Sequence, residues 1–124
     1  MRLVVDAMNV IGSVPDGWWR DREGATARLL AALESYAAEH PEERVTMVLE
    51  REPRRLPAGA RVEVLWAARA GRDAADEEIA RRLPGWAGEE EVTVVTSDRA
   101  LAERAEGAGA AVRPARAFRR TLSW

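Results

Sequence analysis

The sequence contains no cysteine, no lysine and one histidine, His40. The absence of cysteine excludes disulfides, thiolate catalysis and zinc-thiolate sites, and a lone histidine excludes a metal site built from several histidines. Any bound metal must therefore use oxygen ligands. All 19 basic residues are arginines, which suits bidentate contacts to phosphate, although a GC-rich genome or a thermophilic host explains the same bias.

The chain also lacks an apolar run long enough to cross a bilayer, and no signal-peptide pattern follows Met1. We therefore expect a cytoplasmic protein with no membrane association. With 124 residues, 47% of them hydrophobic, the chain fits a single domain over residues 1–124 that ends in a basic segment, residues 113–124. The net charge of −2 counts against an autonomous, strongly basic RNA-binding domain.

Short apolar, β-branched runs alternate along the chain with runs of helical periodicity. Strands are predicted at residues 2–6, 45–49, 62–65 and 92–96, with a short one around Val112. Helices are predicted at residues 22–39, 73–83 and 99–106, with Pro84 and Gly85 ending the second. Residues 7–12 and 53–59 are predicted as turn and loop. The alternation implies parallel strand pairing and a three-layer α/β sandwich.

Acidic residues fall where such folds bind ligands. Asp6 and Asp98 follow two predicted strands, and ligands of open α/β sheets bind outside the carboxyl ends of the strands. If these two strands are neighbours, both acids face one crevice, and the acid-rich helix start at residues 73–78 lies on the same side. Carboxylates packed together repel one another unless a cation lies between them, and Mg²⁺ prefers oxygen ligands. The pattern predicts a divalent-metal site.

Helix capping offers a simpler explanation for some of these acids. Asp76, Glu77 and Asp98 lie in predicted first turns, where acids are favoured by capping and by the helix dipole. Asp6 precedes no clear helix start, so capping explains it poorly. Asn9 either shapes the turn or orients Asp6 or a phosphate.

Three motifs resemble those of NYN domains. Residues 6–11, Asp-Ala-Met-Asn-Val-Ile, resemble the family's D-x-x-N-[VL]-[IL] motif. Residues 75–79, Ala-Asp-Glu-Glu-Ile, resemble A-D-D-x-I, with Glu77 in place of the second aspartate. Residues 94–99 resemble V-[TS]-S-D-[RK]. The motifs occur in family order, and the chain is most similar to the YacP-like branch of the PIN-like ribonucleases. Glu50-Arg51 departs from the acid-Gly that usually follows the family's second strand.

The resemblance implies a PIN-like fold with a mainly parallel sheet of about five strands and a ribonuclease that depends on Mg²⁺ or Mn²⁺. It assigns catalytic roles to Asp6, Asp76, Asp98 and Asn9, with Ser97 as a supporting polar contact. The expected metal ligands are Asp6, Asp76 and Asp98, together with Asp73 and Glu77. Whether one or two ions bind is open, since Asp73 or Glu77 could serve a second ion.

Basic residues suggest where RNA would bind. Arg99 follows Asp98 at a helix start, and the C-terminal segment supplies Arg116, Arg119 and Arg120 as further substrate-binding candidates. A solvated tail with Phe118 docked in the core explains that segment equally well. Because overall basicity is weak, we expect RNA to be presented by a larger RNA assembly such as the ribosome.

We expect phosphodiester hydrolysis, with endonucleolytic action. The main alternative is a catalytically silent PIN-like module that binds RNA or a partner protein. A response-regulator receiver domain is disfavoured because such domains require a lysine, and an aspartyl phosphatase because Asp6-Ala7-Met8 does not match D-x-D. The sequence leaves the RNA target, cleavage of DNA and oligomeric state open, as it does the role of the Trp18-Trp19 pair.

Overall fold

The computed structural model describes residues 1–56, 59–122 and 124. Pro57 and Ala58, within the predicted loop 53–59, and Ser123, within the basic C-terminal segment, lie outside the described residues. No helix in the described part of the chain is both long and apolar enough to cross a bilayer.

Five strands within these residues form one sheet, and every neighbouring pair runs parallel. The strands are β1 (Arg2–Asp6), β2 (Arg44–Leu49), β3 (Glu63–Trp66), β4 (Val92–Val95) and β5 (Ala111–Arg113), in the spatial order β3-β2-β1-β4-β5. All residues of β1 and all but the first of β2 are buried, as expected for a parallel sheet covered on both faces. The predicted α/β architecture is confirmed.

Strand β1 lies at the centre of the sheet, between β2 and β4. Its residue Val5 pairs with Met47 of β2 and with Val95 of β4. The chain moves outward from β1 first to β2 and β3, then on the other side to β4 and β5, so the strand order reverses beside β1. A crevice is expected at the carboxyl edge of this point, which is where Asp6 lies.

Helices cover both faces of the sheet and complete the three layers. They are α1 (Ala7–Ile11), α2 (Arg22–Glu39), α3 (Ala74–Glu89), α4 (Arg99–Gly107) and α5 (Ala115–Arg119), with a short 3₁₀ helix at Trp18–Arg20. Helices α1, α2 and α5 pack on one face, where Leu29, Leu33 and Phe118 are fully buried. Helices α3 and α4 pack on the other face through side chains such as Ile79 and Leu101.

Two local predictions were wrong. Residues 7–11, predicted as a turn, form α1 because Ala7, Val10 and Ile11 are spaced to bury together in the core. Helix α3 was predicted to end before Pro84, but it continues through this proline to Glu89. Burial of Trp86 beyond the proline favours the helix, although proline cannot donate the helical hydrogen bond at its own position.

The basic C-terminal segment is partly integrated into the fold. Phe118 is fully buried on α5, and its ring makes an edge contact with Tyr36 of α2 at 5.4 Å between centroids. The predicted docking of Phe118 in the core is therefore confirmed, whereas residues 115–119 form a helix and not a solvated tail.

Candidate active site

Asp6 is a buried acid at the carboxyl end of the central strand. Only 3% of its surface is exposed. It occupies the N-cap position of α1, yet its side chain makes no capping hydrogen bond. Instead, Thr96 Oγ1 donates a hydrogen bond to Asp6 Oδ2 at 3.1 Å. Helix capping alone does not account for this carboxylate, because its side-chain partners, Thr96 and Asp76, lie outside α1.

Asp76 places a second carboxyl group against Asp6. It lies half-buried in the first turn of α3, within hydrogen-bonding range of the Asp6 side chain. Burial, together with the negative charge of Asp76, raises the pKa of Asp6 to about 7. Burial also raises the pKa of Asp76, while its hydrogen bond with Asp6 acts in the opposite direction. Without a cation, the Asp6–Asp76 pair therefore retains a proton to a higher pH than a solvent-exposed aspartate would.

Asp98 lies at the start of α4 and caps that helix. Its Oδ1 accepts a hydrogen bond from the backbone N–H of Leu101 at 2.9 Å, as the capping explanation expected. The backbone N–H of Asp98 in turn donates to Thr96 Oγ1 at 3.1 Å. Capping uses one of the two carboxylate oxygens, so the other can bind a ligand.

Thr96 connects Asp6 with Asp98, and sequence reasoning missed this role. Its hydroxyl group is buried, donates to Asp6 and accepts from the Asp98 backbone. The alternating strand pattern places residue 96 at the end of β4 but does not show which polar atoms its hydroxyl group meets. A buried hydroxyl with both donor and acceptor satisfied fixes the position of its partners.

Replacing Thr96 with valine should lower RNA cleavage by about 10- to 100-fold, the usual effect of losing a residue that orients a metal ligand. Valine keeps the shape of threonine but leaves Asp6 and the Asp98 N–H without their shared partner. Steady-state rates would be compared with Thr96→Ser, which keeps the hydroxyl group and should retain most activity. Thr93→Val, on the same strand, is the matched control. Equal activity in Thr96→Val and Thr93→Val would contradict this role.

One cavity of about 220 Å³ brings the acids together at the carboxyl edge of the sheet. Its acidic lining residues are Asp6, Glu50, Asp73, Asp76 and Asp98. These acids come from separate elements of the fold and converge on one crevice. We call this crevice the acid cavity. Its wall also includes Arg72, which sequence reasoning did not single out.

The fit of a divalent cation can be judged from these oxygen donors. Within residues 1–56, 59–122 and 124, no three Asp, Glu or His side chains are already arranged to hold a metal ion together. Mg²⁺ is often bound through only one or two carboxylates, with water filling the remaining positions. The Asp6–Asp76 pair supplies two, and a cation there would replace the proton that the pair shares. The donor set therefore fits Mg²⁺ or Mn²⁺, with Asp98 and Asp73 beside the pair.

Asn9 connects the segment that follows β1 with the segment that follows β4. Its Oδ1 accepts a hydrogen bond from the backbone N–H of Ser97 at 2.7 Å, and Ser97 Oγ accepts one from the N–H of Ala115 at 2.9 Å. The side chain of Asn9 also lines the acid cavity. Both predicted polar residues thus brace the backbone around the acids.

The two glutamates that follow Asp76 form ion pairs with arginines. Glu77 is exposed and forms an ion pair with Arg104 at 3.2 Å. It lines a neighbouring cavity rather than the acid cavity. Glu78 is buried and pairs with Arg81 and Arg82, whose hydrogen bonds outweigh burial and lower its pKa. Glu77 could reach a metal only by leaving Arg104, whereas Glu78 has a structural role.

The four arginines predicted to bind substrate have different surroundings. Arg99 and Arg120 are exposed, and Arg116 lines a cavity that borders the acid cavity through Met8 and Asn9. Arg119 is mostly buried, donating to the carbonyl oxygen of Ile11 and to Asp16. Of the four, Arg116 therefore lines a cavity that adjoins the acid cavity, while Arg119 joins α5 to the loop after α1.

Comparisons with known proteins agree with this architecture. The sequence model of the YacP-like NYN domain, a branch of the PIN-like nucleases, matches residues 3–123. A mutant form of Rae1 (YacP) from Bacillus subtilis is 26% identical, with a TM-score of 0.78 over 97% of this chain and 73% of that one. A second crystal structure of Rae1 (YacP) from B. subtilis is 24% identical, with a TM-score of 0.76 over 98% and 72%. No curated protein sequence matches. Because the family model covers nearly the whole chain, the protein belongs to the YacP-like NYN domain family.

Proposed function

We propose that the protein is a ribonuclease that depends on Mg²⁺ or Mn²⁺ and hydrolyses RNA phosphodiester bonds internally. The observation that carries this proposal is the acid cavity, where Asp6, Asp76 and Asp98 meet from three elements of a nuclease-family fold. An ionised pair made of the buried Asp6 and the half-buried Asp76 destabilises the folded protein, so a binding role explains the pair better than a structural one.

In this proposal Asp6 and Asp76 hold the cation, with Asp98 and Asp73 as further ligands. Glu77 would join only after releasing Arg104. When bound, the cation would supply a water of lowered pKa and neutralise negative charge on the phosphate oxygens. A nucleophilic side chain is not required, and the lone histidine lies away from these acids in a different cavity.

The remaining residues position the acids and the substrate. Asn9 holds the backbone of Ser97 beside Asp98, so the ends of β1 and β4 keep a constant separation. Arg72, in the wall of the acid cavity, is suited to bind a non-bridging phosphate oxygen through its planar guanidinium. Arg99 and Arg116 are suited to contact phosphates farther along the strand.

Internal cleavage is supported by the surroundings of the acid cavity. A cavity containing Arg20, Arg51 and Arg54 borders it through Met8 and Glu50, and one containing Arg69 borders it through Arg72 and Asp73. A bound strand could therefore extend from the acids into either of these neighbouring cavities.

RNA presentation by a larger assembly, such as the ribosome, is part of the proposal. The net charge of −2 supports it, because weak overall basicity gives little attraction for free RNA. Tight, salt-resistant binding of free RNA by the isolated protein would contradict this part alone.

Asp98→Asn provides a direct test, since asparagine caps helices as well as aspartate does. The variant should keep its melting temperature but lose more than about 100-fold in cleavage, because it removes a negative ligand and not only an orienting contact. The substrate is a circular single-stranded RNA, which has no ends, incubated with Mg²⁺, with Mn²⁺ or with EDTA. Glu103→Gln, on the exposed surface of α4, is the control and should cleave normally.

Cleavage of the circle by wild type with either cation, and its loss in EDTA, is the expected result. Cleavage of linear RNA only from its ends would overturn the internal mode of action. If wild type cleaves neither RNA and calorimetry shows no Mn²⁺ binding, the silent RNA- or protein-binding module becomes the better description.

A further inference from the structure

A second cavity, of about 490 Å³, lies between the carboxyl end of β2 and the start of α2. We call it the arginine groove after the residues that share its wall: Arg20, Arg22, Arg51, Arg54 and Arg55. The groove also shares Met8 and Glu50 with the acid cavity. The groove and the acid cavity therefore adjoin one another at these two residues.

Most guanidinium groups of the groove are free to bind a ligand. Arg22 pairs with Glu50 at 3.3 Å. Among the residues that the structure describes, the other four groove arginines form no ion pair. Their positive charge therefore remains available in the groove.

Of the acids in the groove wall, Asp21 is occupied as the cap of α2, accepting from the Gly24 N–H at 2.9 Å, and Glu50 is occupied by Arg22. Asp21 keeps its negative charge as a cap, so Asp21, Glu23 and Glu52 all offset part of the positive charge. With five arginines against four acids, the groove wall has a net charge of +1 on a protein whose net charge is −2.

Aromatic side chains adjoin these arginines. Trp19 is 50% exposed and makes an edge contact with Trp18, at 5.8 Å between ring centroids. The guanidinium of Arg20 lies 6.0 Å from the Trp19 ring, and that of Arg22 lies 5.3 Å from the Trp18 ring. Cationic grooves bordered by exposed aromatic rings are typical of single-strand binding, since unpaired bases stack on the rings while arginines follow the phosphates.

We propose that the arginine groove binds single-stranded RNA on one side of the phosphate to be cleaved. Arg51, Arg54 and Arg55 contact successive phosphates, and Trp19 stacks on an unpaired base. Duplex RNA has its base faces covered by stacking within the helix, so it would gain nothing from Trp19. This inference rests on the proposed function for the position of the scissile phosphate, but binding itself requires no cleavage.

The test compares two triple variants with the same loss of charge. One is Arg51→Gln/Arg54→Gln/Arg55→Gln, and the control is Arg28→Gln/Arg44→Gln/Arg61→Gln, three exposed arginines outside the groove. Binding of a fluorescein-labelled, mixed-sequence RNA of about 14 nucleotides is measured by anisotropy in EDTA, which prevents cleavage. The groove triple should bind at least about tenfold more weakly, and its slope of log affinity against log salt should fall by about 2. The control should change by less than about twofold.

Trp19→Leu tests the aromatic contact and should weaken binding of the single strand several-fold without affecting a duplex of the same sequence. Equal losses in the two triples, or equal binding of single strand and duplex by wild type, would overturn the inference. If the groove triple alone loses binding while wild type cleaves no RNA, the binding site stands and the proposed function fails. If wild type cleaves RNA and the groove triple cleaves it with unchanged KM, the groove inference fails and the function stands.

Discussion

Replacing Asp6 with asparagine should reduce RNA cleavage by more than about 100-fold, while the metal-free variant unfolds at a higher temperature than wild type at pH 8. Asparagine retains an oxygen for the hydrogen bond from Thr96 but cannot supply a charged metal ligand. Loss of activity together with a gain in stability is a signature that misfolding cannot produce. RNA cleavage assays and thermal unfolding in EDTA measure the two effects.

The stability gain of the Asp6→Asn variant should increase as pH rises. Burial raises the pKa of Asp6 to about 7, whereas in the unfolded chain the value is near 3.8. Between these values the folded protein holds a proton that the unfolded chain has lost, so rising pH favours the unfolded state. The contribution of Asp6 to stability is complete below about pH 4 and is lost as pH rises through about 7. The asparagine variant has no such loss, so its advantage should be small at pH 4 and largest at pH 8.

Asp16→Asn is the matched control for this experiment. Asp16 is exposed, and its hydrogen bond with Arg119 lowers its pKa, the opposite of the shift at Asp6. This variant should cleave RNA normally and should not gain stability at pH 8. If Asp6→Asn shows wild-type activity, or if the stability difference is the same at pH 4 and pH 8, the assigned role of Asp6 is wrong.

Replacing Arg2 with methionine should lower the free energy of unfolding by about 3 kcal/mol, at the lower end of the effect of breaking a buried ion pair. The Arg2 guanidinium donates to Thr46 at 2.8 Å, to Glu63 at 3.0 Å and to Glu90 at 3.2 Å, and lies 5.2 Å from the Trp86 ring. Methionine fills similar space but leaves the partly buried Glu90 with only the N-terminal ammonium group, 3.7 Å from its Oε1, as an ion-pair partner. Glu63 is half exposed, which keeps the expected loss moderate.

Urea denaturation of Arg2→Met and Arg44→Met would measure this loss. Arg44 lies beside Arg2 in the sheet register but is exposed, so its substitution should change stability by less than about 0.5 kcal/mol. The folded Arg2→Met protein should cleave RNA at the wild-type rate, because Arg2 lies at the amino edge of the sheet, opposite the acids. Equal stability of the two variants would contradict the role of Arg2.

The sequence predicted the strand and helix order well because most segments bury apolar residues at a clear period. The 2–6 strand and the 22–39 helix have the predicted bounds, and the other strands differ by one residue or so. The two failures arose where local rules competed with burial. Pro84 predicts a helix end, yet packing of Trp86 extends α3. In α1 the apolar spacing covers only one turn, which is too short to distinguish a helix from a turn in the sequence.

The acid cavity could be predicted only in outline. Strand ends identify Asp6 and Asp98 as neighbours once a parallel sheet is assumed, and the family motifs add Asp76. The contact of Thr96 with Asp6 depends on side-chain directions across the sheet, and that of Glu77 with Arg104 on the packing of α3 against α4. No local sequence pattern encodes either of them. The same holds for Arg72, whose position beside the acids depends on the path of the loop before α3.

Strand β1 carries the stabilising Arg2 contacts at one end and Asp6 at the other, with three fully buried residues between them. Consecutive side chains of a strand point to opposite faces, so adding or removing one residue would turn either Arg2 or Asp6 to the wrong face of the sheet. The length of β1 therefore fixes the distance between the Arg2 contacts and the acid cavity. Homologous proteins should vary in length in the loop between β2 and β3, while insertions and deletions should be absent from β1.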